Sequence, residues 1–207
     1  EAATTYIRQK ILRKGIPRRK IEEAVDLLKK SGVTPVGYVL LKPPLLSERE
    51  GVEEAVKTID YCQDLGFEII TLQPLCNGEF TLQNFLNSLP QDHPFHYRPP
   101  WFYSVTQVLK KGIELCREGT LLIPGIATKP GENLSYEKWQ EVPHNCPDCT
   151  FTSSELYAEY SRTLDEKILE QLDELDCGCR QSWIEEMQKD VEVPLELRFD
   201  LATSLIH

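Results

Sequence analysis

A chain of 207 residues with 41% apolar side chains can bury one substantial core, which excludes fibrous, collagen-like and wholly disordered classes. Its 23 Lys and Arg stand against 33 Asp and Glu, a net charge of -10 with a pI near 5.0, so bulk electrostatic adhesion to nucleic acid or to an anionic membrane is excluded. Any nucleic-acid contact must be local, and the longest apolar runs, such as Val39 to Leu41, fall far short of the roughly 20 residues that cross a bilayer.

No basic stretch followed by an apolar one opens the sequence, and seven cysteines are an odd count for a disulfide framework, so a cytoplasmic, reducing setting is expected. Glu1 leads without a methionine into a helical pattern, as expected of a processed or truncated product. Tyr6, Ile7 and Ile11 predict a first helix over Thr4 to Lys14, stopped by Gly15. Pro17 as a first helical residue, the stripe Ile21, Ala24, Val25, Leu28 and the terminator Gly32 predict a second. Val36 to Leu41 predicts a buried strand ended by Lys42-Pro43-Pro44.

Ser47 and Glu50 form a capping-box pattern, and Val52, Val56, Ile59 and Cys62 then share a helical face. Phe67 to Gln73 predicts the next strand. A long connection rich in proline and aromatic residues runs from Leu75 to Pro100, with a short helix near Leu82 to Leu86; connections of that length are usually functional. Trp101 to Cys116 predicts a helix and Leu121 to Pro124 a third strand. Strands alternating with amphipathic helices form βαβ units, whose right-handed crossovers make a parallel sheet covered by helices. The fold class is α/β. Ligands of such sheets bind beyond the carboxyl ends of the strands, so Lys42, the Gln73 to Asn77 turn and the loop after Pro124 are expected to line a pocket. Three strands cannot close a barrel, which leaves a sheet edge exposed.

Beyond residue 128 the sequence turns loop-like and then helical and acidic, dividing the chain into residues 1–128 and a cysteine-rich extension, 129–207. Residues 151–207 hold 14 acids against 5 bases, whereas residues 1–30 hold 9 bases against 4 acids. Solvated helix faces account for both ends; a functional role for the basic end would be to face phosphates.

Cys146-Pro-Asp-Cys149 and Cys177-Gly-Cys179 supply four soft thiolates in tight turns, a set suited to tetrahedral zinc. A single straight helix from Ser154 to Leu175 would span about 33 Å and hold the pairs apart. Thr152-x-x-Glu155 and Thr163-x-x-Glu166 instead predict two helices of about 8 and 12 residues with a break near Ser161 to Leu164, a hairpin that brings the pairs together. An iron-sulfur cluster or unligated cysteines are the alternatives, and His144 is a substitute for one thiol. Cys62 and Cys116 read as core residues. Cys76 follows a strand, but lacks an evident base for a nucleophile's role in a hydrolase or transferase. His93 and His96 read as packed or solvated, and Arg98, Trp101, Phe102 and Tyr103 as core or as a stacking surface for a base. Dinucleotide, Walker, HExxH and EF-hand motifs are absent.

The succession YVLLKPP, a helix, EIITLQPL, YRPPWFYSVTQVL, NCPDC and CGC before Trp183 resembles the carboxy-terminal half of radical S-adenosylmethionine (SAM) enzymes of the archaeosine synthase type. The resemblance covers Glu1 to about Trp183. It implies a partial (β/α) TIM-type barrel, a [4Fe-4S] cluster with SAM, and a 5′-deoxyadenosyl radical that cleaves a C–N bond of a lysine adduct on a modified guanine in tRNA. It implies tRNA and a lysine-transferring enzyme as partners. It places Glu1 at the end of the fourth barrel strand and Lys42, Gln73 and Asn77 on the cofactor side. The family's strand-five pattern GxIxGxxE is kept only in part, as Gly37, Val39 and Leu41 with Pro44 in the glutamate place. No C-x3-C-x2-C occurs, so the chain alone should be inactive, its amino-terminal half being missing or supplied by a second polypeptide. The alternative is a noncatalytic, zinc-containing interaction module derived from such an enzyme.

Overall fold

The structure is a computed structural model and describes residues 1–125 and 141–206. Three parallel strands, β1 (Val36–Leu41), β2 (Ile69–Pro74) and β3 (Leu121–Pro124), form one sheet in sequence order. Val36 pairs with Ile69 and Leu41 with Pro74; Ile69 pairs in turn with Leu121 and Leu72 with Pro124. The helices between strands are α2 (Glu48–Asp64), the short α3 (Leu82–Asn87) and α4 (Phe102–Leu115), with α1 (Arg18–Lys30) leading into β1. After β3 come α5 (Pro147–Thr163), α6 (Glu166–Glu174), α7 (Cys179–Gln188) and α8 (Leu195–Ser204). Among the described residues no helix is long and apolar enough to cross a membrane.

The α2 start follows from its sequence. Ser47 Oγ accepts the Glu50 N–H at 3.2 Å while Glu50 Oε2 accepts the Ser47 N–H at 2.8 Å, which satisfies two otherwise orphaned donors. Val52, Ala55 and Ile59 then seat α2 on Val39, Leu41, Ile70 and Leu72. Val105, Val108 and Leu109 of α4 complete that cover, and Tyr157, Tyr160, Ile168, Leu169 and Leu172 of α5 and α6 belong to the same cluster. Tyr157 donates to the Phe102 carbonyl at 2.7 Å and Tyr160 to the Leu122 carbonyl at 3.2 Å.

Several expectations change. Among the described residues helices cover one sheet face only: burial alternates along each strand, and on the other face Val36, Tyr38 and Leu121 stay 43%, 57% and 40% exposed. The first helix shrinks to a turn around a π-helical segment, Ile7–Ile11, closed by the Leu12 N–H on the Ile7 carbonyl. There Arg8 is drawn inward to the Ala2 and Ala3 carbonyls. Pro17 precedes α1 as its cap, and of the stripe on α1 only Val25 is buried. Strand β2 starts at Ile69 instead of Phe67 and takes in Pro74 as its last pair. In the extension Thr152 lies inside α5, which begins at Pro147 and has 17 residues; α6 has 9 and is capped by Asp165, whose carboxylate accepts the Lys167 N–H. The expected break is present, with Leu164 in the left-handed conformation at φ 55°. The loop after Pro124 and the division at 128/129 fall at or beyond the edge of the described residues.

Candidate metal centre and adjoining cleft

Two helix starts build the four-thiol cluster. Cys146 caps α5, Pro147 occupies its first turn with a preset φ, and Cys149 follows within that turn. Cys179 opens α7 directly after Cys177 and Gly178. The αL turn at Leu164 reverses the chain, so the second pair returns to the first. Sγ separations are 3.7 Å for Cys146–Cys149, 3.3 Å for Cys146–Cys177, 3.6 Å for Cys149–Cys179 and 3.4 Å for Cys177–Cys179, and all four atoms lie within 4.8 Å of one another.

These distances can be tested against a ligand. At Zn–S bonds of about 2.3 Å, a tetrahedron sets sulfurs about 3.8 Å apart. The four thiols therefore fit a single ion with only small adjustment. In a [4Fe-4S] cluster each thiolate binds a different iron, which requires wider spacing than sulfurs sharing one ion. Helix N-termini favour the thiolate form that a metal requires.

The surroundings hold both turns in place. Asn145 Oδ1 accepts the Phe102 N–H at 3.0 Å, Thr150 Oγ1 accepts the Asn145 N–H and donates to the Cys146 carbonyl, and Arg98 donates to the His144 carbonyl. The Tyr103 hydroxyl lies 3.5 Å from Cys179 Sγ, its ring 5.5 Å from Trp183, and Trp183 Nε1 donates to Ser104 Oγ at 2.9 Å. Such outer contacts fix ligand orientation. His144 takes no place among the ligands: its Nδ1 meets the Val142 carbonyl at 2.7 Å, and burial, aided by Arg98, pushes its imidazole down to about 4.

Beyond the carboxyl end of β1 lies a cleft of about 1050 Å3, lined by Lys42, Glu48, residues of the 87–98 connection, His144 to Pro147 and the segment after α7. Lys42 Nζ meets Glu48 Oε2 at 2.6 Å with both side chains almost fully buried, and Glu48 Oε1 accepts the Trp101 N–H. Lys42 stands at φ 55°, and its carbonyl accepts from the Tyr97 hydroxyl. Glu48 was not foreseen, because an ion pair across a Pro-Pro turn has no periodic signature.

The other three residues expected at a cofactor lie apart from the cleft lining. The Glu1 carbonyl accepts the Leu40 N–H at 3.0 Å and its carboxylate pairs with Lys14. Gln73 is half-buried on the sheet face that α2 and α4 leave free, and the Asn77 N–H donates to the Glu141 carbonyl at 2.7 Å. Arg98 stacks 3.6 Å over Trp101, so these two planes pack on each other. His93 Nδ1 accepts the Phe95 N–H, and His96 Nδ1 lies 2.9 Å from the Leu89 carbonyl. Burial pushes the Cys76 thiol up, away from a nucleophile's thiolate, and raises Cys62 to about 11 in the core.

No family model and no solved structure matches the chain. It is 29% identical over 186 residues to archaeosine synthase subunit beta of Methanosarcina acetivorans, covering 88% of this chain and 48% of that protein. It is 27% identical over 190 residues to the protein of the same name from Thermococcus kodakarensis, covering 88% and 51%. An uncharacterized protein of Methanocaldococcus jannaschii is 25% identical over 201 residues, covering 94% and 50%. The chain spans about half the length of these relatives, and along most of its own length it is similar to archaeosine synthase subunit beta.

Proposed function

We propose that this chain is the rear part of a radical SAM barrel, joined to a zinc-holding helical extension, in an enzyme that forms archaeosine in tRNA. The observation that carries this reading is the bare face of the parallel sheet. In a β/α barrel helices cover the outer face while inward strand residues fill the interior. Val36, Tyr38, Leu40, Ile69, Thr71, Leu121 and Ile123 would supply an inward set of that kind: they are exposed or half-buried, and among the described residues no helix layer covers them. The relatives named archaeosine synthase subunit beta, about twice as long as the match, support the choice of reaction.

The [4Fe-4S] cluster does not fit the residues present. None of the seven cysteines has the C-x3-C-x2-C spacing, and the four that converge are too close together for it. On this reading the cluster and much of the SAM site belong to the remainder of the barrel, toward which Gln73 is turned, whereas Lys42 is committed to Glu48. Zinc fits the four thiols and would pin the starts of α5 and α7, a structural role.

The test is replacement of the subunit beta gene of an archaeon by the whole gene that encodes this chain, followed by nucleoside analysis of its tRNA. Return of archaeosine is expected. A stably produced protein that restores none would overturn the proposal and favour a noncatalytic zinc module.

A further inference from the structure

The charge of this molecule is unevenly placed. Of its 23 bases and 33 acids, residues 1–30 hold 9 and 4, which leaves 14 bases against 29 acids for the remainder. Between Ala2 and Ile21 there are seven bases and no acid. Arg8 is buried, and the other six, Lys10, Arg13, Lys14, Arg18, Arg19 and Lys20, are exposed. Lys10 and Arg13 form no ion pair among the described residues. Lys14 meets Glu1, and Arg18, Arg19 and Lys20 meet Glu22 or Glu23 through solvent-exposed pairs. Such solvent-exposed pairs are weak and exchange readily for a stronger anion.

The segment is also fixed in place. Ile7 and Ile11 pack with Ala2 and Leu46, and Leu195 and Phe199 of α8 close over them. Thr4 is tied to Glu54 through its N–H and its hydroxyl. Leu46 borders the cleft at the end of β1, so the cations stand on ground that adjoins the cleft wall.

We infer that the basic segment from Lys10 to Lys20 is a surface that grips the phosphate backbone of an RNA. On an otherwise acidic body, a local positive field both draws a polyanion and orients it, since the remaining surface repels it. The inference takes the identity of the polyanion from the tRNA reading above.

The experiment measures binding of bulk tRNA by the whole gene product across a salt series. Three forms are compared: the wild type, K10Q/R13Q/R19Q, and the control K111Q/R162Q/K167Q, which removes three exposed cations from α4 to α6. The expected result is at least tenfold weaker binding by the first triple variant and a log–log salt slope shallower by about two to three, with the control like the wild type. Equal loss in both variants overturns the inference, as does a wild type that binds anionic lipid vesicles but not tRNA. Archaeosine formation separates the two proposals: tRNA gripped through this segment without archaeosine sinks the enzymatic reading alone. Wild-type binding and archaeosine yield in K10Q/R13Q/R19Q sinks the surface alone.

Discussion

Four sulfur atoms make up the candidate metal site of this chain. Each comes from a turn next to a helix start, and their separations of 3.3 to 3.7 Å match thiolates sharing one small ion. Burial pushes the Cys149 thiol up, with Cys146 and Cys179 beside it, so a metal must displace its proton to bind. Cys146→Ser should therefore lose bound metal in protein purified without oxygen, while Cys62→Ser, a change in the core under α2, should keep it. Elemental analysis of the two variants checks this; equal metal content in both would reject the site. The spacing C-x2-C and C-x-C was readable as ligand chemistry, whereas the support from Asn145, Tyr103 and Trp183 was not. Those contacts join residues 43 to 79 positions apart, and only packing brings them together.

At the scale of elements, α2 is the pivot. Arg198 of α8 reaches its capping box, with Nη2 2.5 Å and Nη1 2.9 Å from the two Glu50 oxygens and a further bond to the Leu45 carbonyl. Burial alone would push the Glu50 carboxyl up, but the hydrogen bonds from Arg198 and Ser47 outweigh it and hold the group below its ordinary 4.5. A depressed carboxylate stabilises the fold above its unfolded pKa and loses that contribution as pH falls through the folded value. Glu50→Gln should cost about 2 kcal/mol at neutral pH, and the gap from wild type should close as pH drops below about 4.5. Urea titrations at several pH values measure both. Gly51, one residue on, lets α2 approach the end of β1: an added Cβ would stand 2.9 Å from Lys42 Cα. Backbone cannot yield there as a side-chain tip can, so Gly51→Ala should lower stability by about 1–3 kcal/mol, read as a lower midpoint in thermal unfolding.

For the whole molecule, the consequence of a half-covered sheet is an apolar surface in water. Parallel sheets are normally buried on both faces. Here Val36, Tyr38 and Leu121 on the sheet and Leu27, Leu28 and Val33 around α1 remain exposed. This chain produced by itself should associate with increasing concentration and bind a hydrophobic dye. Tyr38→Lys with Leu121→Lys should reduce both, as followed by sedimentation and fluorescence; a monomeric, dye-free wild type would refute the open-face account. The α1 stripe shows the limit of reading such a pattern. Ile21, Ala24, Val25 and Leu28 have helical spacing, yet spacing says only that an apolar face exists. Whether a neighbour covers it depends on the rest of the structure, and here only Val25 is covered.

The order of three strands and their helices, the capping box at Ser47, the reversal near Leu164 and the two thiol pairs were determined by the sequence itself. Each depends on side-chain periodicity or on backbone chemistry acting within a few residues. Tertiary structure alone decided that among the described residues helices leave one sheet face free, that Lys42 is buried against Glu48, that Arg98 stacks on Trp101, and that all four sulfurs meet at single-ion distance. These are contacts between segments distant along the chain, governed by how elements pack together, and no local pattern of residues encodes them.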